Sequence, residues 1–340
     1  MKVREVRFSH IRGFGEALRR VTFFDPETDE VRPLTVLVGS NGCGKTTVLQ
    51  LIEALYAPWE DARIRKELYR SGFGALCLSV PSEAPSELSP YFWSARGQAA
   101  SLPRGIDTWP RLAFKWSEAT LPVPSVQFNL LYEDWAVDDG QGPRHSMRYG
   151  LLYFPHDRWF EQPEQGGVSE PLLQKEWLFH FKPHSKWNGS LAQLWVWQNY
   201  LDLEAGREGR PNLLPFVQLI EEILGRGRRV VIHKARVHIQ DGDRRVELHE
   251  LPSGEQQILA LFGEIIRQLR PGAVILIDEI EISLHPSLQR VVIAHLRSLA
   301  RKYDLQIIVT THSMDIVRSV SPREIVNMDD MVQTEQGRGA

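Results

Sequence analysis

The sequence predicts an α/β fold built on a buried sheet, and three stretches carry that prediction. The first is the apolar run Leu34-Thr35-Val36-Leu37-Val38. It is followed by Gly39-Ser40-Asn41-Gly42-Cys43-Gly44-Lys45-Thr46 and by the helical pattern Val48-Leu49-Gln50-Leu51-Ile52-Glu53-Ala54-Leu55. The second is Ala273-Val274-Ile275-Leu276-Ile277, which ends in Asp278-Glu279. The third is Leu305-Gln306-Ile307-Ile308-Val309-Thr310, ending at Thr311-His312-Ser313. Continuous apolar runs mark strands buried on both faces, as parallel sheets require.

Strand, glycine loop and helix in that order make G-x-x-x-x-G-K-T a phosphate-binding loop rather than an ordinary turn. The loop and its flank, Gly39, Ser40, Asn41, Gly42, Cys43, Gly44 and Thr47, form the expected nucleotide cradle. Backbone N–H groups turn inward on the β- and γ-phosphates at a helix N-terminus. Lys45 adds a point charge on the same oxygens, and the Thr46 hydroxyl is expected to hold Mg²⁺. An acid at the C-terminal end of a central strand sits at the crevice where such sheets bind ligands. Asp278 is therefore a candidate metal residue and Glu279 a candidate base for the attacking water. An Asp-Glu pair alone is more simply a solvated loop start; the upstream loop shifts the balance.

Leu251-Pro252-Ser253-Gly254-Glu255-Gln256-Gln257 opens a helix with apolar positions at Ile258, Leu261, Phe262, Ile265 and Leu269. A small-residue turn at a helix N-terminus is a second phosphate-binding surface. Phosphate loop, signature, acidic strand and switch histidine in this order resemble the ABC-type ATPases. The opening Arg4-Glu5-Val6-Arg7-Phe8-Ser9-His10-Ile11-Arg12-Gly13-Phe14 resembles the first strand of RecF-like and chromosome-maintenance ATPase heads. Asp278-Glu279-Ile280-Glu281-Ile282-Ser283-Leu284-His285-Pro286 resembles AAA-type ABC ATPases such as the overcoming-lysogenization-defect (OLD) family and ATPases of bacterial antiphage systems. That resemblance implies a P-loop NTPase with an ABC-ATPase-type head: a mixed sheet core plus an α+β insertion lobe. It implies Lys45 and Thr46 as nucleotide and metal residues, Glu279 as general base and His312 as γ-phosphate sensor. Arg12 matches an arginine that reaches the nucleotide in some relatives. Ser253, Gly254 and Glu255 would contact the nucleotide held by a second copy. Pro252 stands where the signature serine is expected, and it has neither hydroxyl nor N–H to offer. No glutamine loop is assigned; His156, after Gly150-Leu151-Leu152-Tyr153-Phe154-Pro155, is a candidate.

The chain has 340 residues, 42% of them hydrophobic, and a net charge of -3, enough to bury a large core in two lobes. The slight acidity argues against nucleic-acid binding by bulk charge alone. No apolar run of membrane-spanning length occurs and the N-terminus carries charges, so a cytoplasmic protein without membrane insertion is expected. Cys43 and Cys77 are the two cysteines, which excludes a disulfide framework. Cys43 reads better as a small filler of the loop than as a redox switch.

The expected division is an ATPase core from 1–57 and 228–328, an insertion lobe from 58–227 and a tail from 329–340. Within the lobe, 61–70 fits a helix, and 80–87 and 162–167 fit loops. Residues 112–116 and 126–132 alternate like strands, and helices are expected near 189–205 and 213–225. All ten tryptophans fall in the lobe. A second aromatic core is the preferred account, with Leu194-Trp195-Val196-Trp197 the best candidate for a partner surface. Basic residues at 226–245 suggest a hairpin from 229–234 and 244–248. Its charged face fits a DNA backbone or a solvated edge equally well.

The expectation is a Mg²⁺-dependent ATPase whose homodimer closes over two ATP molecules and reopens on hydrolysis. It would switch a DNA-processing or nuclease partner, in antiphage defence or DNA repair. The alternative is the nucleotide-binding subunit of a membrane ABC transporter. The absence of a long heptad pattern argues against a full chromosome-maintenance protein. With only a short tail after the last predicted strand, the nuclease domain of OLD proteins is not expected within these residues.

Overall fold

A computed structural model describes residues 1–56, 72–79, 91–97, 112–116, 137–138, 143–144, 150–158, 167–171, 178–182, 189–225 and 227–330. The first half of the chain gives β1 (Lys2–Ser9), β2 (Arg19–Thr22), β3 (Leu34–Val38), α1 (Lys45–Tyr56), β4 (Phe73–Ser79), β5 (Tyr91–Gly97) and β6 (Leu112–Trp116). Two short strands, β7 (Val137–Asp138) and β8 (Pro143–Arg144), precede β9 (Leu151–Phe154) and β10 (Leu178–His180). Then come α2 (Leu191–Glu204), α3 (Leu214–Leu224), β11 (Arg229–His233), β12 (Arg236–Asp241) and β13 (Arg244–Glu247). The chain continues through α4 (Ser253–Gln268), β14 (Val274–Ile277), α5 (Pro286–Lys302), β15 (Gln306–Thr310), α6 (Met314–Ser319) and β16 (Ile325–Asn327).

The central sheet runs β10-β9-β14-β15-β3-β16, and every neighbouring pair is parallel. Its strands read as apolar runs because both faces are covered. Val274 and Leu276 point into one buried cluster, Ile275 and Ile277 into the other. The first cluster is shared with α1 and with a second sheet, β2-β1-β4-β5-β6, antiparallel apart from β5 on β6. Helices α2, α3, α4 and α5 cover the other face. The expected α/β class is present, with the mixed pairing located in the second sheet.

Helix α1 lies between the two sheets. Val48, Leu49, Leu51, Ile52, Leu55 and Tyr56 are all fully buried, which an amphipathic surface helix could not achieve. A helix clamped on two sides holds its N-terminus rigidly, and that N-terminus carries the phosphate loop.

Strands β4, β5 and β6 extend the sheet of β1, and β9 and β10 extend the central sheet, although all five come from residues 58–227. Helices α2 and α3 fall where they are expected. The expected hairpin at 229–248 has a different form. Residues 236–241 make a third strand, and β11 and β13 each pair antiparallel with β12 rather than with one another. The Lys234-Ala235 turn, with φ of 49° and 56°, closes the first hairpin too early for a two-stranded ribbon. Trp195 is fully buried and Trp93 nearly so, each within a hydrophobic cluster, as the core-filling account requires. The helix at 61–70, the loop at 80–87, the strand at 126–132 and residues 162–166 lie outside the described residues. Among those described, no helix is long and apolar enough to cross a membrane.

Candidate functional site

Strand β3 ends where α1 begins, and the loop between them is shaped by close approach. A Cβ on Gly44 would lie 2.1 Å from Cζ of Phe14, and Gly44 has φ of 94°, so only glycine fits. Lys45 is buried, and its ammonium donates to the carbonyls of Gly39 at 2.9 Å and Ser40 at 3.1 Å. Cys43 is buried with Sγ 3.6 Å from the Lys45 ammonium, in keeping with its expected role as filler. The N–H and hydroxyl of Ser40 donate to the Asp329 carboxylate at 2.9 and 2.7 Å. These bonds, helped by the charge of Lys45, hold the Asp329 carboxyl below its ordinary value.

Strand β14 delivers Asp278 beside this loop. Asp278 is fully buried, and its Oδ1 accepts from the Thr46 hydroxyl at 3.1 Å and the Thr310 hydroxyl at 2.7 Å. Its Oδ2 has no hydrogen-bond partner; the nearest cationic candidate, His156 Nδ1, stands at 3.8 Å. A buried carboxylate oxygen left unpaired is costly. Next to a threonine hydroxyl at a helix N-terminus, it forms the oxygen donor set that suits Mg²⁺.

Glu279 adopts φ of 45°, a left-handed conformation that costs a non-glycine residue about 1–3 kcal/mol. The surroundings hold it there. Its N–H donates to the Thr310 hydroxyl at 2.7 Å, and its carbonyl accepts from Arg158 at 3.1 Å. The strained turn aims Glu279 and Glu281 into an open cleft of about 580 Å³ with Asn41, Gly42, Gly44, Lys45, Thr46, Thr47 and His312. Glu281 Oε1 accepts the N–H of His312 at 2.5 Å, which ties the acidic turn to the end of β15. Its Oε2 has no partner.

Residues expected from four separate stretches thus meet at one end of the central sheet. Arg12 belongs to the turn after β1, closed by the His10 N–H on Gly15 at 2.9 Å, and its guanidinium donates to the Thr47 hydroxyl at 3.2 Å. Ser253, Gly254 and Glu255 do not line this cleft. They open α4 with Pro252 as the flanking cap, whose carbonyl accepts from Glu255 at 2.9 Å. The Glu255 carboxylate is taken by Arg228 at 2.6 Å. A Cβ on Gly254 would lie 2.5 Å from the Ser283 carbonyl, so α4 packs tightly on the segment that follows the acidic turn.

Several participants carry no motif. Arg158 is 2% exposed and grips the backbone of both Asp278 and Glu279. Burial pushes its guanidinium down to about 10, against the pull of Asp278 and Glu281. Phe14, Thr310 and Asp329 also escape sequence reading, because each is specified by a tertiary contact. Only Glu281 left a signal, as the acid following the Asp-Glu pair.

Residues 177–318 match a family model described as "AAA domain, putative AbiEii toxin, Type IV TA system". An Escherichia coli protein named "Retron Ec83 probable ATPase" is 37% identical over 87 residues, covering 22% of this chain and 16% of that protein. The chain therefore aligns with less than a fifth of that relative's length. Among solved structures, the fold matches a chromosome-maintenance (Smc) head bound to the C-winged helix domain of ScpA. The TM-score is 0.53 at 11% identity, covering 96% of this chain and 94% of the other. A Pyrococcus furiosus Smc head with an extended coiled coil, bound to the C-terminal domain of ScpA, gives a TM-score of 0.52 at 11% identity, covering 96% and 92%.

Proposed function

We propose that the chain is an ATP-hydrolysing, ABC-type AAA ATPase of the RecF, chromosome-maintenance-head and OLD-like group. It closes as a homodimer over two ATP molecules, hydrolyses them, and so switches a nuclease or DNA-processing partner in antiphage defence or DNA repair. The observation that carries the hydrolytic part is the cleft itself, where phosphate loop, acidic turn and switch histidine converge. Defence is the favoured setting because of the retron and toxin-type relatives. The ATPase core, on this reading, includes β4–β6 and β9–β10 along with 1–57 and 228–328.

In this mechanism the N–H groups of Gly42, Gly44 and Lys45 cradle the β- and γ-phosphates. The Lys45 ammonium exchanges its two carbonyl acceptors for phosphate oxygens, a charge-assisted pairing that is roughly twice as strong. Thr46 and Asp278 would hold Mg²⁺, which neutralises charge on the phosphates and aligns them. Glu279 accepts a proton from the attacking water. His312, at the end of β15, donates toward the γ-phosphate, and Arg12 reaches the nucleotide from the turn after β1. The α4 N-terminus at Ser253-Gly254 supplies contacts to the partner copy's nucleotide.

Two measurements test this directly. Lys45→Ala should lose about 1.5–3 kcal/mol of phosphate binding and weaken ATP roughly tenfold or more. Calorimetry giving the parent's affinity would remove the loop from the nucleotide site. Light scattering should find a dimer with ATP and Mg²⁺ and a monomer with ADP, since only the γ-phosphate reaches the second copy. Chelating the divalent cation should stop turnover; full turnover in chelator would eliminate the metal role of Thr46 and Asp278.

A further inference from the structure

We propose that Arg158 is a positioning residue for hydrolysis, coupling the first turn of α4 to the Asp278-Glu279 turn through Gln257. This deepens the sandwich reading above and rests on it, because that reading brings the first turn of α4 to the partner's nucleotide. Arg158 follows β9, and its side chain spans three segments. Nη1 donates to the carbonyls of Pro155 and Asp278, each at 2.6 Å, and Nη2 to the carbonyl of Glu279 at 3.1 Å. Nε donates to Gln257 Oε1 at 3.3 Å, and the Gln257 amide donates back to the Arg158 carbonyl. Gln257 stands four residues after Ser253, on the same face of α4.

The choice of partners is informative. Among the described residues, the Arg158 guanidinium hydrogen-bonds only to carbonyl oxygens and to no carboxylate. A buried charge without an ion pair is a poor stability device, and its depressed titration reflects that burial. A planar fork with five donors is, however, suited to fixing several carbonyls at once. Two of those carbonyls belong to the metal and base residues, and one of them sits in a left-handed conformation that needs external support. The link to α4 gives this support a second input. When a nucleotide on the partner docks against Ser253-Gly254, α4 is held. Gln257 then fixes Arg158, and Arg158 fixes the carbonyl of Glu279. Misplacing a reacting group by an ångström costs about 10²-fold in rate, so this coupling is large enough to govern turnover.

A purely structural Arg158 would behave differently. Its loss would lower folding stability, ATP binding and turnover in parallel. Two variants separate the possibilities in the intact chain. Gln257→Ala cuts the link to α4 and leaves Arg158 on its carbonyls. Arg158→Lys keeps a cation that cannot reach three carbonyls together. For Gln257→Ala we expect kcat about tenfold lower, with KM within about threefold of the parent. ATP should still drive dimerisation, and the thermal midpoint should be retained. For Arg158→Lys we expect about 10²-fold lower kcat with ATP affinity retained. The proposal is overturned if Gln257→Ala turns over at the parental rate, or if kcat, ATP affinity and thermal midpoint fall together in both variants. Should the parent fail to dimerise with ATP, the sandwich reading falls on that result alone. The kcat-against-KM split in the same variants then decides whether Arg158 still positions Glu279 within one chain.

Discussion

Glu279→Gln is expected to bind ATP as the parent does and to turn it over at least about 10²-fold more slowly. Glutamine preserves the shape of the side chain but cannot accept the proton of the attacking water. The backbone at 279 does not depend on the carboxylate. Its left-handed conformation is held by the Thr310 hydroxyl on the N–H and by Arg158 on the carbonyl, and both contacts survive the change. Loss of rate can therefore be attributed to chemistry rather than to a collapsed turn. Single-turnover phosphate release alongside equilibrium ATP binding gives the comparison. Unchanged turnover would sink Glu279 as base and point to Glu281, the other acid in the cleft, which has one oxygen without a partner. Glu281→Gln is the matched control. Its amide oxygen can still accept the His312 N–H, so a rate near the parent's is expected there.

What the sequence made legible follows from how each part of the site is encoded. The phosphate loop, Asp278-Glu279 and His312 are each short contiguous stretches at the end of an apolar strand, so motif and context travel together. The central sheet was legible for the same reason: β3, β14 and β15 are buried on both faces, so apolar residues dominate each run, with Thr35, Gln306 and Thr310 the buried polar exceptions. Arg158 was not legible. It lies more than a hundred residues from the turn it holds, and its partners in that turn are backbone carbonyls, which leave no trace in side-chain identity. Asp329 is similar, capping Ser40 from 289 positions away. Register within 229–248 was misread because alternation continues across residues 236–241. Periodicity reveals a strand but does not say which neighbour it pairs with.

The expected boundaries at 57 and 228 followed the span of the family resemblance. Residues 73–79 and 151–154 lie between them, and hydrogen bonding joins these strands to β1 and β14. The parallel β9–β14 pair and the antiparallel β4–β1 pair both join strands far apart in sequence, so sequential proximity is a weak guide to which strands share a sheet.

The dimer is best tested at Ser253. Gly254→Asp, the more obvious change, is confounded. Its Cβ would fall 2.5 Å from the Ser283 carbonyl of the same chain, so the variant would disturb the acidic turn before any partner arrived. Ser253 is the first residue of α4 and is exposed, with room for a larger side chain. An aspartate there is favourable within the monomer, because a carboxylate at a helix N-terminus complements the macrodipole by about 0.3–1 kcal/mol. Across a closed interface the same carboxylate faces a γ-phosphate, and like charges brought together there repel by roughly several kcal/mol. The monomer is thus slightly stabilised and the sandwich opposed. In the Glu279→Gln background, which should accumulate the closed state, adding Ser253→Asp is expected to leave ATP affinity per chain nearly unchanged. The ATP-dependent rise in scattering mass should disappear. In the parent background the same substitution should lower turnover without lowering the thermal midpoint. A dimer that persists with Ser253→Asp would place the α4 N-terminus away from the partner's nucleotide and refute the sandwich arrangement.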